Sequence, residues 1–204
     1  MQQVSDTETK IILDLAEKAL KVEGDFVELG CYRGDTSLLL QKLLHQNGFD
    51  RRLFLYDSFE GLPEKTKEDA SVAGDGFKKG ELLVTKKEVV LRFKKAGLPI
   101  PKIKKAFFED LDSGSLLLDG SPDSAHPGDL PEKIAFAFLD GDLYGSIKTS
   151  LALVLPRLTK NAVLIVHDYN NPSLPGVARA VDQAGLKGTL RETLFIKIVN
   201  KTLA

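Results

Sequence analysis

The chain has 204 residues, a length that one ordinary domain with a short extension fills. Hydrophobic residues make up 43% and charged residues 28%, the balance of a chain with a packed core and a wetted surface, which excludes a disordered tail. The 28 basic side chains stand against 29 acidic ones, so no global positive field is available to gather nucleic-acid phosphates, and the single cysteine, Cys31, excludes an intrachain disulfide and a thiolate-based structural zinc site.

Residues 1–23 lack the basic start, apolar run and cleavage site of a secretory signal, and no later stretch reaches the ~20 apolar residues of a bilayer span. The expectation is a cytoplasmic protein with neither a membrane nor a nucleic-acid partner. Ile11, Ile12, Leu15, Ala19 and Leu20 recur at helical spacing after Ser5-Asp-Thr-Glu8, where Ser5 or Thr7 suits a cap, so residues 1–23 are expected to be an N-terminal helix packed on the domain formed by 24–204. Asp25–Gly30 is a short apolar strand stopped by glycine, and Thr36–Leu44 is a leucine-rich helix. The alternation continues with a strand at Arg52–Asp57, a helix at Lys86–Ala96 ended by Gly97, and a strand at Lys102–Phe107.

Ile134–Asp140 and Ala162–His167 are the most continuous apolar runs, as strands covered on both faces require, with a helix at Ser146–Leu155 between them. A helix near Val177–Ala184 leads to extended segments at Gly188–Glu192 and Leu194–Asn200. The pattern predicts a doubly wound, mainly parallel seven-stranded sheet with helices on both faces and an antiparallel C-terminal strand pair. Insertions at Gly61–Leu83 and Asp110–Lys133 interrupt it, the second with a hint of helical period at Leu116–Leu118. In such sheets ligands bind at the carboxyl ends of the strands.

At the first strand end, Glu28-Leu-Gly-Cys-Tyr-Arg-Gly34 puts a glycine where the backbone must bend toward a ligand, and the helix that follows offers free amides to an anionic group. Such a turn suits the methionine end of S-adenosylmethionine, with Glu28 accepting from its ammonium group; a plain glycine-capped connection is the alternative. Asp57 ends the second strand, where a carboxylate accepts from ribose hydroxyls, or else serves as a turn residue before Ser58. A nicotinamide dinucleotide would ask for a second glycine where Tyr32 stands.

The fourth strand ends in Leu139-Asp-Gly-Asp-Leu-Tyr144 and the fifth in Val166-His-Asp-Tyr169. Asp140, His167 and Asp168 form an oxygen-rich set for magnesium or another divalent ion, which would acidify a substrate hydroxyl. Each residue also has a plain role open to it: Asp142 as a helix cap, His167 as a core hydrogen-bonding group, Asp168 as the holder of the Asn170-Asn-Pro turn. Asp140 is preferred to Asp142, which lies beyond the strand.

Taken with Gly24–Gly34, these motifs, together with Leu55-Tyr-Asp-Ser-Phe-Glu-Gly-Leu-Pro63 and Phe107-Phe-Glu-Asp110, resemble the macrocin O-methyltransferase family over about Gly24–Asp182. That family consists of class I methyltransferases that use S-adenosylmethionine and magnesium to methylate sugar hydroxyls on natural products. The resemblance implies that Glu28, Gly30, Gly34 and Ser37 line the methionine end, Asp57 the ribose, and Phe108 with Glu109 the adenine. It places the metal at Asp140, His167 and Asp168. Asp140 is the catalytic candidate, a small-molecule hydroxyl is the expected acceptor, and a homodimer is the assembly to test.

Three departures accompany it. His167 stands where the family pattern has an acidic residue. The loop after Pro63 offers Asp75, Lys78 and Lys79 in place of a base histidine, which leaves the base unassigned, with His126 in the other insertion and His45 at a helix end as the remaining histidines. The region before the first strand is one helix long. The expected activity is in-line methyl transfer to a hydroxyl; an adenosylmethionine-binding protein with weakened catalysis and an enzyme acting on a catechol are the alternatives.

Overall fold

The computed structural model describes residues 4–48, 50–73, 76–114 and 128–200; Leu116–Leu118, Asp75 and His126 lie outside them. Helix α1, Asp6–Ala19, starts at a capping box in which Ser5 and Glu8 satisfy each other's backbone amides. Strand β1 (Asp25–Leu29) is followed by helix α2 (Asp35–Gln46), strand β2 (Leu53–Asp57), helix α3 (Lys86–Lys95) and strand β3 (Lys102–Lys105). Strand β4 (Ile134–Leu139), helix α4 (Tyr144–Val154), strand β5 (Leu158–Val166), helix α5 (Pro175–Gln183) and the strands β6 (Thr189–Arg191) and β7 (Leu194–Ile198) complete the chain.

The sheet order is β3-β2-β1-β4-β5-β7-β6, with β1 to β5 parallel and β7 antiparallel to both its neighbours. The expected doubly wound architecture and closing antiparallel pair are present. β5 begins four residues earlier than its apolar run, because Leu158 pairs with Ile134 ahead of the irregularity in that ladder.

Alternation along the strands divides the core. Val27, Leu29, Ala137, Leu139, Leu164 and Val166 face α4 and α5, whereas Phe26, Phe136, Phe138, Val163 and Ile165 face α1, α2 and α3. Phe26 and Phe136 stack at 5.0 Å between ring centroids. Each such ring, fully removed from water, contributes about 1.5–3 kcal/mol. Ile12, Leu15, Ala16 and Ala19 put α1 into the second of these clusters.

β1 is the point where strand order reverses, β2 lying on one side and β4 on the other, so the ends of these strands splay to form a crevice. The ladders run on past the strands: Gly30 N donates to Tyr56 O, Asp140 N to Leu29 O, and His167 N to Leu139 O. That continuation sets Gly30, Asp57, Asp140 and His167 side by side.

The insertion Gly61–Leu83 is docked against the core in its first half. Asp69 accepts from Thr66 and, across the fold, from Tyr144 N at 2.7 Å, while Ser71 Oγ donates to Pro172 O. Asp69 therefore caps α4, a role the sequence suggested for Asp142.

Candidate active site

An open cleft lies over the carboxyl ends of β1, β2, β4 and β5. Four non-glycine residues at these ends adopt left-handed backbone: Tyr32 (φ 45°), Phe59 (φ 52°), Asp142 (φ 59°) and Asp168 (φ 60°). Such conformations cost about 1–3 kcal/mol each and persist where surrounding structure enforces them, commonly at functional sites.

Gly30 (φ 91°) is required by the protein itself: a Cβ there would collide with the carbonyl oxygen of Asp140. The expected glycine turn is present, but the close approach it permits is between two strand ends. Gly34 (φ 77°) is the N-cap of α2 and supplies no side-chain cap, so the amides of the first turn are left open beside the cleft, which Asp35 and Thr36 line.

Glu28 is 1% exposed and accepts from Ser37 Oγ at 2.6 Å. Burial, assisted by the neighbouring charge of Asp140 and Asp57, pushes its carboxyl up to about 8 despite the Ser37 hydrogen bond. A cationic group entering the cleft would restore the carboxylate. Cys31 is buried beside it, and burial raises its thiol well above the ordinary value, which makes it a packing residue.

Asp57 ends β2 with both oxygens engaged. Oδ2 accepts from Cys31 N at 3.0 Å and Tyr32 N at 2.9 Å, and Oδ1 accepts from Phe59 N at 2.8 Å. Both roles weighed for Asp57 meet here: it closes the turn after β2 and moulds the β1 loop. A carboxylate has about four acceptor positions, so one remains open, on Oδ1. Phe108 is buried under the cleft beside Gly141, and Glu109 is an exposed lining residue next to it.

Asp140, His167 and Asp168 converge as expected, with one ligand atom from each lying within 4.8 Å of the others. His167 Nδ1 stands 2.9 Å from Asp140 Oδ1 and 3.1 Å from Asp168 Oδ2. Burial opposes charge on the ring, but Asp140 and Asp168 outweigh it and push His167 up to about 12. Asp168 also accepts from Asn171 Nδ2 at 2.8 Å, so it holds the following turn as well.

These separations suit a small divalent ion, whose ligands sit about 2.0–2.6 Å from the metal, and the residues fit that role once Nδ1 is bare.

Two further residues stand at this centre, Asp142, which the sequence set behind Asp140, and Glu8, which it did not single out. Asp142 faces the cleft, where no hydrogen bond reaches its side chain among the described residues; burial, then Asp140 and Asp168, raise its carboxyl well above the ordinary range. Its left-handed backbone turns it back toward Asp140. Glu8, on α1, places Oε2 3.7 Å from His167 Nε2. Of the other groups considered, His45 is exposed on the last turn of α2, and Lys79 pairs with Glu64 at 3.2 Å.

The family model described as Macrocin-O-methyltransferase (TylF) matches residues 9–195. The chain belongs to this family. It is 32% identical over 152 residues to 8-demethyl-8-(2,3-dimethoxy-alpha-L-rhamnosyl)-tetracenomycin-C 4'-O-methyltransferase of Streptomyces olivaceus, covering 72% of this chain and 54% of that protein. Across the curated relatives it matches, the chain spans between 54% and 63% of their length.

Among solved structures, the O-methyltransferase NovP superposes with a TM-score of 0.73 at 24% identity, over 95% of this chain and 79% of that one. TomG of Streptomyces achromogenes, solved in complex with SAM, superposes with a TM-score of 0.58 at 15% identity, over 97% and 81% of the two chains. These chains share the fold described above, and no helix among the described residues is long and apolar enough to cross a membrane.

Proposed function

We propose that the chain is an S-adenosylmethionine-dependent O-methyltransferase that methylates a hydroxyl of a small molecule such as a sugar or natural-product glycoside, with a divalent ion held by Asp140, His167 and Asp168. The observation that carries this reading is the single cleft shared by the buried Glu28, the open turn of α2, Asp57 and the Asp140/His167/Asp168 cluster. Family membership and the acceptors named for its relatives support the sugar or glycoside over a catechol.

When bound, adenosylmethionine supplies an electrophilic methyl group, and a divalent ion lowers the pKa of the acceptor hydroxyl. The residues of the chain do the rest. Glu28 and the open amides of α2 hold the amino-acid end, the free position on Asp57 Oδ1 takes one ribose hydroxyl, and Phe108 with Glu109 flanks the base. Asp140 and Asp168, as holders of the ion, would position the acceptor hydroxyl in the same cleft as the methyl donor, so that positioning carries most of the rate gain. Asp142, which lines the same cleft, would act as its carboxylate, the form that a cation held by Asp140 and Asp168 favours, and would take the hydroxyl proton as the carbon–oxygen bond forms and the carbon–sulfur bond breaks, leaving the electron pair on sulfur. This fills the place of the base histidine that the loop after Pro63 lacks.

The test is calorimetry with adenosylhomocysteine, with and without magnesium, alongside transfer of labelled methyl to a panel of glycosides and catechols. Asp140→Asn is expected to keep adenosylhomocysteine affinity and lose metal-dependent turnover, and Asp142→Asn to keep both ligands and lose turnover. Absence of adenosylhomocysteine binding in the wild type overturns the proposal. Binding without transfer to any acceptor favours a cofactor-binding protein with weakened catalysis, the reading that the histidine at position 167 motivates.

A further inference from the structure

Glu8 satisfies more partners than its place in the sequence explains. As the third residue of α1 it closes the capping box, its Oε2 accepting from Ser5 N at 3.0 Å and Ser5 Oγ at 2.7 Å. The same box on α3, Thr85 with Glu88, leaves its glutamate exposed. Capping therefore needs no burial, yet Glu8 is 5% exposed. Burial disfavours its charge, but hydrogen bonds from Thr193 and Ser5 and the nearby His167 prevail and hold the carboxylate at about 2. Oε1 accepts from Thr193 N at 3.2 Å and from Thr193 Oγ1, which ties α1 to the β6–β7 turn. Oε2, besides its bonds to Ser5, stands 3.7 Å from His167 Nε2, close enough for its charge to act on the ring.

The two nitrogens of His167 thus face opposite ways, Nδ1 toward Asp140 and Asp168 and Nε2 toward Glu8. A neutral imidazole has one proton. A ring that gives Nδ1 to a metal must carry that proton on Nε2, and the negative charge of a carboxylate on that side favours this tautomer.

We propose that Glu8 is a positioning residue, a carboxylate supplied by the N-terminal helix that holds His167 with its proton on Nε2 and so presents a bare Nδ1 to the divalent ion between Asp140 and Asp168. The proposal rests on the metal reading given above. It makes α1 part of the catalytic centre and gives a reason for a buried carboxylate at its first turn.

The experiment measures Mn²⁺ affinity by titration calorimetry on the full chain, and the ¹⁵N shifts of labelled histidine in the Mg²⁺-loaded protein. In the wild type the His167 ring is expected with its proton on Nε2. Glu8→Gln is expected to weaken Mn²⁺ binding by roughly 10–100-fold and to mix the tautomers. Thr193→Val, which removes the hydroxyl that bonds Oε1 but leaves the carboxylate beside His167, is expected to change Mn²⁺ affinity by less than about threefold.

Ion binding that survives Glu8→Gln, or an equal loss in Thr193→Val, overturns the role of Glu8 and leaves the metal reading standing. If Glu8→Gln fails to fold, a wild-type His167 protonated on Nδ1 in the loaded protein is enough to overturn it. A wild type that binds no ion removes the metal reading and this proposal with it.

Discussion

Replacing Glu28 by glutamine separates what the fold pays for this residue from what the cofactor gains. The carboxyl is buried and titrates at about 8 in the folded protein against an ordinary 4.5. Below pH 4.5 it is neutral in both folded and unfolded chains and costs nothing. As pH rises, the unfolded chain releases the proton while the folded one keeps it, so stability is lost at about 1.4 kcal/mol per pH unit until the folded group itself ionises. At pH 7 the penalty is roughly 3 kcal/mol, levelling off near 5 above pH 8.

Glutamine keeps the shape and an acceptor for Ser37 but never ionises. Glu28→Gln should therefore match the wild type in urea denaturation at pH 4.5 and exceed it by about 3 kcal/mol at pH 7. Adenosylhomocysteine affinity should move the opposite way. The wild type must release a proton to meet the ligand's ammonium group, so its affinity should climb toward pH 8, whereas the variant should bind weakly and with little dependence on pH across that range. A variant no more stable than wild type at pH 7, or one that keeps full ligand affinity, would refute the placement of a neutral Glu28 opposite the ammonium group.

Asp57→Asn turns an amide N–H₂ toward Cys31 N and Tyr32 N, or toward Phe59 N, since the two oxygens of Asp57 accept from all three. It should cost about 2 kcal/mol in urea denaturation and weaken adenosylhomocysteine binding in calorimetry, and unchanged values in both would count against Asp57 as the organiser of the β1 loop. Gly30→Ala brings a Cβ into the Asp140 carbonyl at a left-handed φ and should lose about 2–4 kcal/mol, with disturbed Mn²⁺ affinity as the sign that β1 and β4 ends move together. Asp69→Ala removes the cap on Tyr144 N and should cost about 1–2 kcal/mol by thermal melting; a neutral result would mean that the insertion does not hold α4.

The element order and the sheet were legible because local patterns state them. Fully buried strands read as unbroken apolar runs, as at Ile134–Leu139, and helix starts carry their own signals, as Ser5 with Glu8 and Thr85 with Glu88 do. Strand ends followed from that order, so Asp57, Asp140, His167 and Asp168 were placed at one rim before any contact was known. The spacing of Asp142 suggested a helix cap outside the site. A left-handed residue reverses the chain locally, and two positions past the strand Asp142 turns back to the cleft.

Tertiary structure alone decided which partner each polar group takes. Thr66 and Asp69 are near neighbours in the chain and form a local box, yet that Asp69 caps α4, 75 positions away, depends on how the insertion docks. Glu8 stands three residues after Ser5, as a capping-box glutamate does, and nothing in the order of residues couples it to Thr193 or His167, which lie more than 150 positions downstream. Even the glycine turn changed meaning: its residues were given by the sequence as a bend toward a ligand, while the fold shows Gly30 making room for the Asp140 carbonyl. Periodicity and turn chemistry act over a few residues and are written in the chain; hydrogen-bond partners between distant segments exist only once the core has set those segments against each other.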